Sequence, residues 1–131
     1  MQAKVKQLVP SNISLERKLR GIMDASPGRY GMIDNGYYHT LYVNDAEPDR
    51  VHVILSGGGG FGLLFSFFTD RGLADASCEG DYDAAPNAFA LYEAARRLGG
   101  EKGVLFITNN YMGDFLNNDM IFYHNYPLEK L

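Results

Sequence analysis

Apolar positions along the chain switch between a helical and an alternating period, and the switches fall at glycine, proline and asparagine. Ile13, Leu15, Leu19, Ile22 and Met23 recur at helical spacing after Ser11 or Asn12, either of which can cap a helix. Ser26-Pro27-Gly28 stops that helix after about Ala25. Tyr37 to Val43 alternates as a strand does, and the polar loop Asn44 to Arg50 leads into a second strand, Val51–Leu55. Ser56-Gly57-Gly58-Gly59-Gly60 follows directly, then a short helix around Gly62–Thr69 whose aromatic content predicts burial on more than one side. Gly72 to Cys78 reads as a short strand, and Glu79-Gly80-Asp81-Tyr82-Asp83 as an acidic loop.

Pro86 suits the first turn of a helix to about Leu98, with Phe89, Leu91, Tyr92, Ala95 and Leu98 on its apolar face and Gly99-Gly100 as its end. Gly103 to Thr108 then reads as a buried parallel strand followed by the polar loop Asn109 to Asp114. Strand, turn and helix therefore recur in order. This predicts an α/β fold with an open, mainly parallel or mixed sheet and helices on both faces, as one domain over residues 1–131. In such a sheet the loops after the carboxyl ends of parallel strands converge on one crevice, which would bring Ser56–Gly60 close to Asn109–Asp114.

The 131 residues are enough to bury a core, and a net charge of −4 argues against a cationic nucleic-acid surface. Cys78 is the lone cysteine, so no internal disulfide framework is available. The start Met1-Gln2-Ala3-Lys4-Val5-Lys6 lacks the apolar stretch of a signal peptide, and no apolar run is long enough for a membrane span. These features predict a soluble, cytoplasmic protein.

Four consecutive glycines after a strand can be no more than a tight turn. They exceed what turning requires, however, and favour a loop that lets ligand atoms approach the backbone. The loop is not a phosphate-binding P-loop, because no Lys-Ser or Lys-Thr follows it, and it lacks the dinucleotide fingerprint spacing. Neither ATP nor NAD is expected there. Asp114 can accept a hydrogen bond from a ligand hydroxyl or act as a base, or it can simply cap the next helix. His39 and His52 lie within strands, away from their carboxyl ends, and read as packed or surface residues, while His124 follows the last apolar stretch. No spacing of His, Cys, Asp and Glu suggests a metal site, and Cys78 has no evident base. Asp81 and Asp83 read as a solvated loop, and Tyr37-Tyr38 and Phe65 to Phe68 as core or subunit contact.

With these motifs in order, the chain resembles the substrate-binding subunit of dihydroxyacetone kinase, at its N-terminal domain. The resemblance is carried by Val53-Ile54-Leu55-Ser56-Gly57-Gly58-Gly59, by Gly72-Leu73, Gly80 and Pro86, and by Gly99-Gly100-Glu101-Lys102-Gly103-Val104-Leu105. It continues through Asn110-Tyr111-Met112-Gly113-Asp114 and Asn117. It implies a site for dihydroxyacetone or a similar short ketose, which the family phosphorylates with ATP or a phosphotransferase-system donor brought by separate domains or subunits. Gly59 then matches a substrate-contacting glycine, and Asp114 the aspartate that activates the substrate hydroxyl. Ser56, Gly57, Gly58, Gly60, Asn109 and Asn110 complete the expected substrate-binding set.

The departures from the family pattern carry their own expectations. Gly62 stands where the family has a site histidine, and Asn109 where it has a substrate-contacting lysine. The sequence given ends at Leu131, short of the remaining strands of that domain and of the second domain, whose histidine holds the ketose covalently. Phosphoryl transfer depends on positioning and electrostatic stabilisation, and each missing group typically costs several powers of ten in rate. The expectation is a ketose-binding subunit of a split or heteromeric kinase assembly, inactive alone and holding no cofactor of its own. The alternative is a non-catalytic metabolite-binding or regulatory protein derived from the kinase. Either would assemble, as a homo-oligomer or with a complementary kinase subunit, because a truncated sheet leaves an edge uncovered.

Overall fold

A computed structural model of the chain describes residues 11–58, 63–80 and 84–109. The helical period at the start forms helix α1, Ser11–Ala25, which a turn at Ser26 closes by donating its N–H to the Met23 carbonyl at 3.1 Å. Strand β1, Tyr30–Asp34, follows and pairs antiparallel with β2, His39–Val43. The turn between them is held by side-chain acceptors. Asp34 Oδ1 takes the Gly36 N–H at 2.9 Å, and Asn35 Oδ1 takes those of Tyr37 and Tyr38 at 3.0 and 3.1 Å. Gly36 has φ +82°, the left-handed conformation that glycine adopts without penalty.

β1 has no counterpart in the sequence pattern because Gly31 interrupts it. The structure supplies the reason: Gly31 is the register partner of Tyr42, whose ring lies across it, and a Cβ there would sit 2.7 Å from Tyr42 Cε2. The aromatic ring takes the space that a side chain would fill.

β3, His52–Gly57, leads through Gly58 toward the short helix α2, Leu64–Phe67. β4, Ala76–Glu79, helix α3, Ala88–Leu98, and β5, Val104–Thr108, complete the order. The five strands form one sheet in the order β1-β2-β4-β3-β5. β2 pairs antiparallel with β4, whereas β3 pairs parallel with both β4 and β5, so the sheet is mixed, as expected.

Helices cover both faces. Leu15 and Leu19 of α1 bury against Leu41 of β2, with Met32 and Leu63 beside them. On the other face Ala90, Leu91, Ala94 and Ala95 of α3 pack on Ile54, Ala76 and Cys78. Small residues let α3 lie close to the central strands, and the apolar surface both helices remove from water is the main favourable term in the fold.

Three local expectations change. Pro86 precedes the cap of α3 instead of entering its first turn. Asn87 is the cap, its side chain accepting the Phe89 N–H at 2.9 Å, and Phe89 turns outward. Asn87→Ala should therefore cost about 1 kcal/mol in urea unfolding, the usual worth of such a cap. α2 buries only Ser66, leaving Leu64 and Phe67 exposed, with Phe68 exposed just beyond it, because its polar serine faces a buried polar cluster on the sheet. β5 is parallel as expected but covered on one face: Val104 and Phe106 pack toward α3, while Leu105 and Ile107 remain half exposed.

Candidate functional site

Parallel strands β4, β3 and β5 end almost level. Gly57 is the register partner of Glu79, and Ser56 that of Thr108. Two further backbone bonds continue the ladder past the strand ends: the Gly80 N–H donates to the Gly57 carbonyl at 2.9 Å, and the Asn109 N–H to the Ser56 carbonyl at 3.1 Å. The first part of the glycine run and the first residue of the Asn109 loop therefore share one rim, as the α/β pattern predicts.

Each residue of this rim has a distinct environment. Ser56 is fully buried on the α3 face, and its Oγ lies 3.3 Å from Thr108 Oγ1, so its hydroxyl is occupied within the sheet. Gly57 is the point of closest approach. A Cβ there would lie 2.6 Å from Asn109 Oδ1 and 2.6 Å from Phe65 Cζ, so the absent side chain is what lets the amide and the ring meet over β3. Gly58 is more open, since a Cβ on it would meet only the Ala84 carbonyl oxygen, at an ordinary 3.5 Å. Asn109 reaches the rim through both its backbone and its side chain. Gly59, Gly60, Asn110 and Asp114, together with Gly62, Asp81, Asp83 and His124, lie outside the described residues.

Glu79 joins the rim without any sequence signal. Read as the start of an acidic loop, it is instead the last residue of β4 and 3% exposed. Its Oε1 accepts from both the backbone N–H and the Oγ of Ser66, each at 2.8 Å, and Ser77 Oγ donates to Ser66 Oγ at 3.3 Å. Burial raises its pKa above the ordinary carboxyl value, outweighing the opposing effect of the two Ser66 hydrogen bonds.

The two strand histidines are buried at opposite ends of the sheet. His39 opens β2, antiparallel to β4, beside Thr40, the register partner of Cys78, and so lies at the rim end, with its Nδ1 3.3 Å from Asp34 Oδ1. His52 opens β3 at the far end, its Nδ1 3.4 Å from Asp75 Oδ2, and a cleft of about 450 Å³ lies there between the end of α3 and the loop after β2, with Tyr42, His52 and Arg97 in its wall. The Arg97 guanidinium stacks 4.2 Å above the Tyr42 ring centre, which occupies its charge within the fold. Among the described residues no three His, Cys, Asp or Glu side chains group as metal ligands.

The rim's glycine and asparagine loops fall inside a stretch, residues 20–123, that matches the family model described as the Dak1 domain. The chain belongs to the Dak1 family. It is 31% identical over 108 residues to the dihydroxyacetone-binding subunit of PTS-dependent dihydroxyacetone kinase 2 from Listeria innocua, an alignment covering 82% of this chain and 32% of that one. The crystal structure of the dihydroxyacetone kinase of C. freundii superposes with a TM-score of 0.81 at 25% identity, over 95% of this chain and 23% of the kinase. The structure of a dihydroxyacetone kinase operon co-activator shares the fold, with a TM-score of 0.72 at 23% identity over 86% of this chain and 34% of its own.

This Dak1 chain thus spans about a third or less of the relatives it matches. The open mixed sheet expected from both periodicity and resemblance is the one found. Among the described residues of this Dak1 domain no helix is long and apolar enough to cross a membrane.

Proposed function

We propose that this chain binds a short ketose, dihydroxyacetone or a close analogue, at the β4-β3-β5 rim and serves as the ketose-binding part of a phosphotransferase assembly. The observation that carries the reading is the closure of Asn109 over bare Gly57 at a parallel strand end, in a Dak1 chain whose Listeria innocua relative is named a dihydroxyacetone-binding subunit. Backbone amides and a neutral side-chain amide suit hydroxyl and carbonyl oxygens better than a phosphate, because they supply directed hydrogen bonds without net charge. Asp114 is the candidate base for the ligand hydroxyl, with Gly59, Gly60 and Asn110 completing the contact set. The phosphoryl donor comes from another domain or subunit, as ATP or a phosphotransferase-system phosphoprotein. Asn109 and Gly62 supply neither the positive charge nor the imidazole that the kinase pattern carries at these positions, so the chain alone does not turn over.

Two measurements test this reading. Ligand-observed NMR should show dihydroxyacetone binding that Asp114→Ala weakens about tenfold or more, the loss expected for a charge-assisted hydrogen bond. A kinase assay on the purified chain with either donor should give no turnover, and turnover at the level of a complete dihydroxyacetone kinase would overturn the split-assembly reading. Affinity purification from native extract should recover a complementary kinase subunit. Recovery of the chain only with itself, together with ketose binding, would establish the non-catalytic metabolite-binding alternative, which the uncharged Asn109 favours.

A further inference from the structure

The turn between β1 and β2 holds an asparagine in a reactive setting. Asn35 is the one asparagine of the chain that a glycine follows, and Asn35, Gly36 and Tyr37 are all exposed. A backbone nitrogen can attack the side-chain amide of the residue before it and close a five-membered succinimide ring. Glycine supplies that nitrogen with no Cβ to hinder the approach.

The groups that such a ring closure needs converge in this turn. The nucleophile is the Gly36 nitrogen, whose N–H donates to Asp34 Oδ1 at 2.9 Å, so a carboxylate is already in place to take the proton. The electrophile is Asn35 Cγ. Its Oδ1 accepts the Tyr37 and Tyr38 N–H groups at 3.0 and 3.1 Å, and these donors polarise the amide and meet the charge that develops on that oxygen during attack. Both donors follow Gly36 in the chain, so the Asn35 side chain is folded forward over the peptide that supplies the nucleophile. Asp34 is itself anchored from two sides. Arg20 Nη2 of α1 lies 3.5 Å from its Oδ2, and His39 Nδ1 of β2 lies 3.3 Å from its Oδ1.

We propose that Asn35-Gly36 is a site of self-catalysed deamidation, with Asp34 as the proton acceptor and the Tyr37 and Tyr38 amides holding the developing oxyanion. The Gly36 nitrogen bonds to Asn35 Cγ as its proton passes to Asp34, the Cγ–Nδ2 bond breaks, and Asp34 returns the proton to the departing ammonia. Water then opens the succinimide at either carbonyl, leaving an aspartate or its β-linked isomer at this position. Either product adds a negative charge beside Asp34. The β-linked product also lengthens the main chain by one carbon within the turn that sets the register of Asp34 with His39. The turn lies at the same end of the sheet as the β4-β3-β5 rim, since Thr40 is the register partner of Cys78, so the new charge falls on the rim side.

The test is incubation of the purified full chain at neutral pH, with tryptic digestion at intervals and mass spectrometry of the peptide from Tyr30 to Arg50, which also contains Asn44 as an internal control. Fragmentation should place the amide-to-acid conversion at Asn35 and not at Asn44. The folded chain should convert about tenfold faster, or more, than the same chain held unfolded in guanidinium chloride at the same pH, because only the fold assembles base, nucleophile and oxyanion donors. Asp34→Asn keeps an acceptor for the Gly36 N–H but is not a base, so it should slow the folded chain by about tenfold or more. Equal or slower conversion in the folded chain would overturn the proposal, as would an unchanged rate in a folded Asp34→Asn chain. If Asp34→Asn fails to fold, the comparison of the folded and unfolded unmodified chain decides alone.

Discussion

Gly80→Ala should destabilise the chain by about 3 kcal/mol, a large share of the roughly 5–15 kcal/mol by which a domain is stable. The added Cβ would overlap the carbonyl oxygen of Ala84 and lie 2.5 Å from the Ala85 carbonyl carbon and 2.7 Å from the Pro86 nitrogen. All three are backbone atoms, so no side-chain rotation relieves the contact. The chain from Ala84 onward must move, or Gly80 must give up the N–H bond to the Gly57 carbonyl that extends the β3–β4 ladder. Either response disturbs the rim, because Ala84 is also the neighbour of Gly58. Urea unfolding of Gly80→Ala beside Gly58→Ala provides the comparison. The Gly58 variant meets Ala84 only at ordinary contact distance and should stay within about 0.5 kcal/mol of the original. Equal stability of the two would show that residues 84–86 are not held over Gly80.

The contrast between these two glycines marks what a sequence can reveal. Four consecutive glycines after an apolar run announce a strand end where a ligand can approach, and Gly57 and Asn109 do meet there. Gly80 and Gly31 carry no such mark. Their glycines are required by groups that no hydrophobic period displays, the Ala84 backbone folding back over Gly80 and the Tyr42 ring lying across Gly31, which is why β1 is hidden in the pattern. The helices α1 and α3 and the strands β2 and β3 were legible because their periodicity reflects one-sided or two-sided burial directly. α2 misleads for the opposite reason: four residues are too few for a helical face to show, and its buried residue is Ser66, while Phe67 and Phe68 point outward and Phe65 lies over Gly57. Glu79 was illegible on the same grounds. A glutamate before Gly-Asp-Tyr-Asp has the composition of a solvated loop, and only the strand alternation of Ser77 and Glu79 toward Ser66 makes it an interior acid.

Asp75→Ala should cost about 3 to 5 kcal/mol while leaving ketose affinity at the opposite rim within about twofold in whatever fraction remains folded. Asp75 is 1% exposed and acts as a clamp at the amino-terminal half of the parallel strands. Its Oδ1 pairs with Arg50 Nη2, and its Oδ2 accepts the Val53 N–H at 2.9 Å beside His52 Nδ1. Its own backbone completes the junction, the N–H donating to the Val53 carbonyl at 2.8 Å and the carbonyl accepting the Val43 N–H at 2.9 Å. Alanine keeps those backbone bonds but strands the Arg50 charge and the Val53 N–H, and an uncompensated buried group is what makes breaking such a pair expensive. Asp75→Asn retains the shape and one acceptor, so its cost should fall to about half. Val53, the residue it holds, precedes Gly57 by four positions along β3, so the loss acts on the anchoring of the strand and not on the geometry of its carboxyl end. Calorimetric unfolding of both variants, followed by dihydroxyacetone titration of Asp75→Asn, separates the two effects. A tenfold loss of affinity in the folded Asn variant would show that the two ends of β3 are energetically coupled, and that the rim depends on the clamp at its far end.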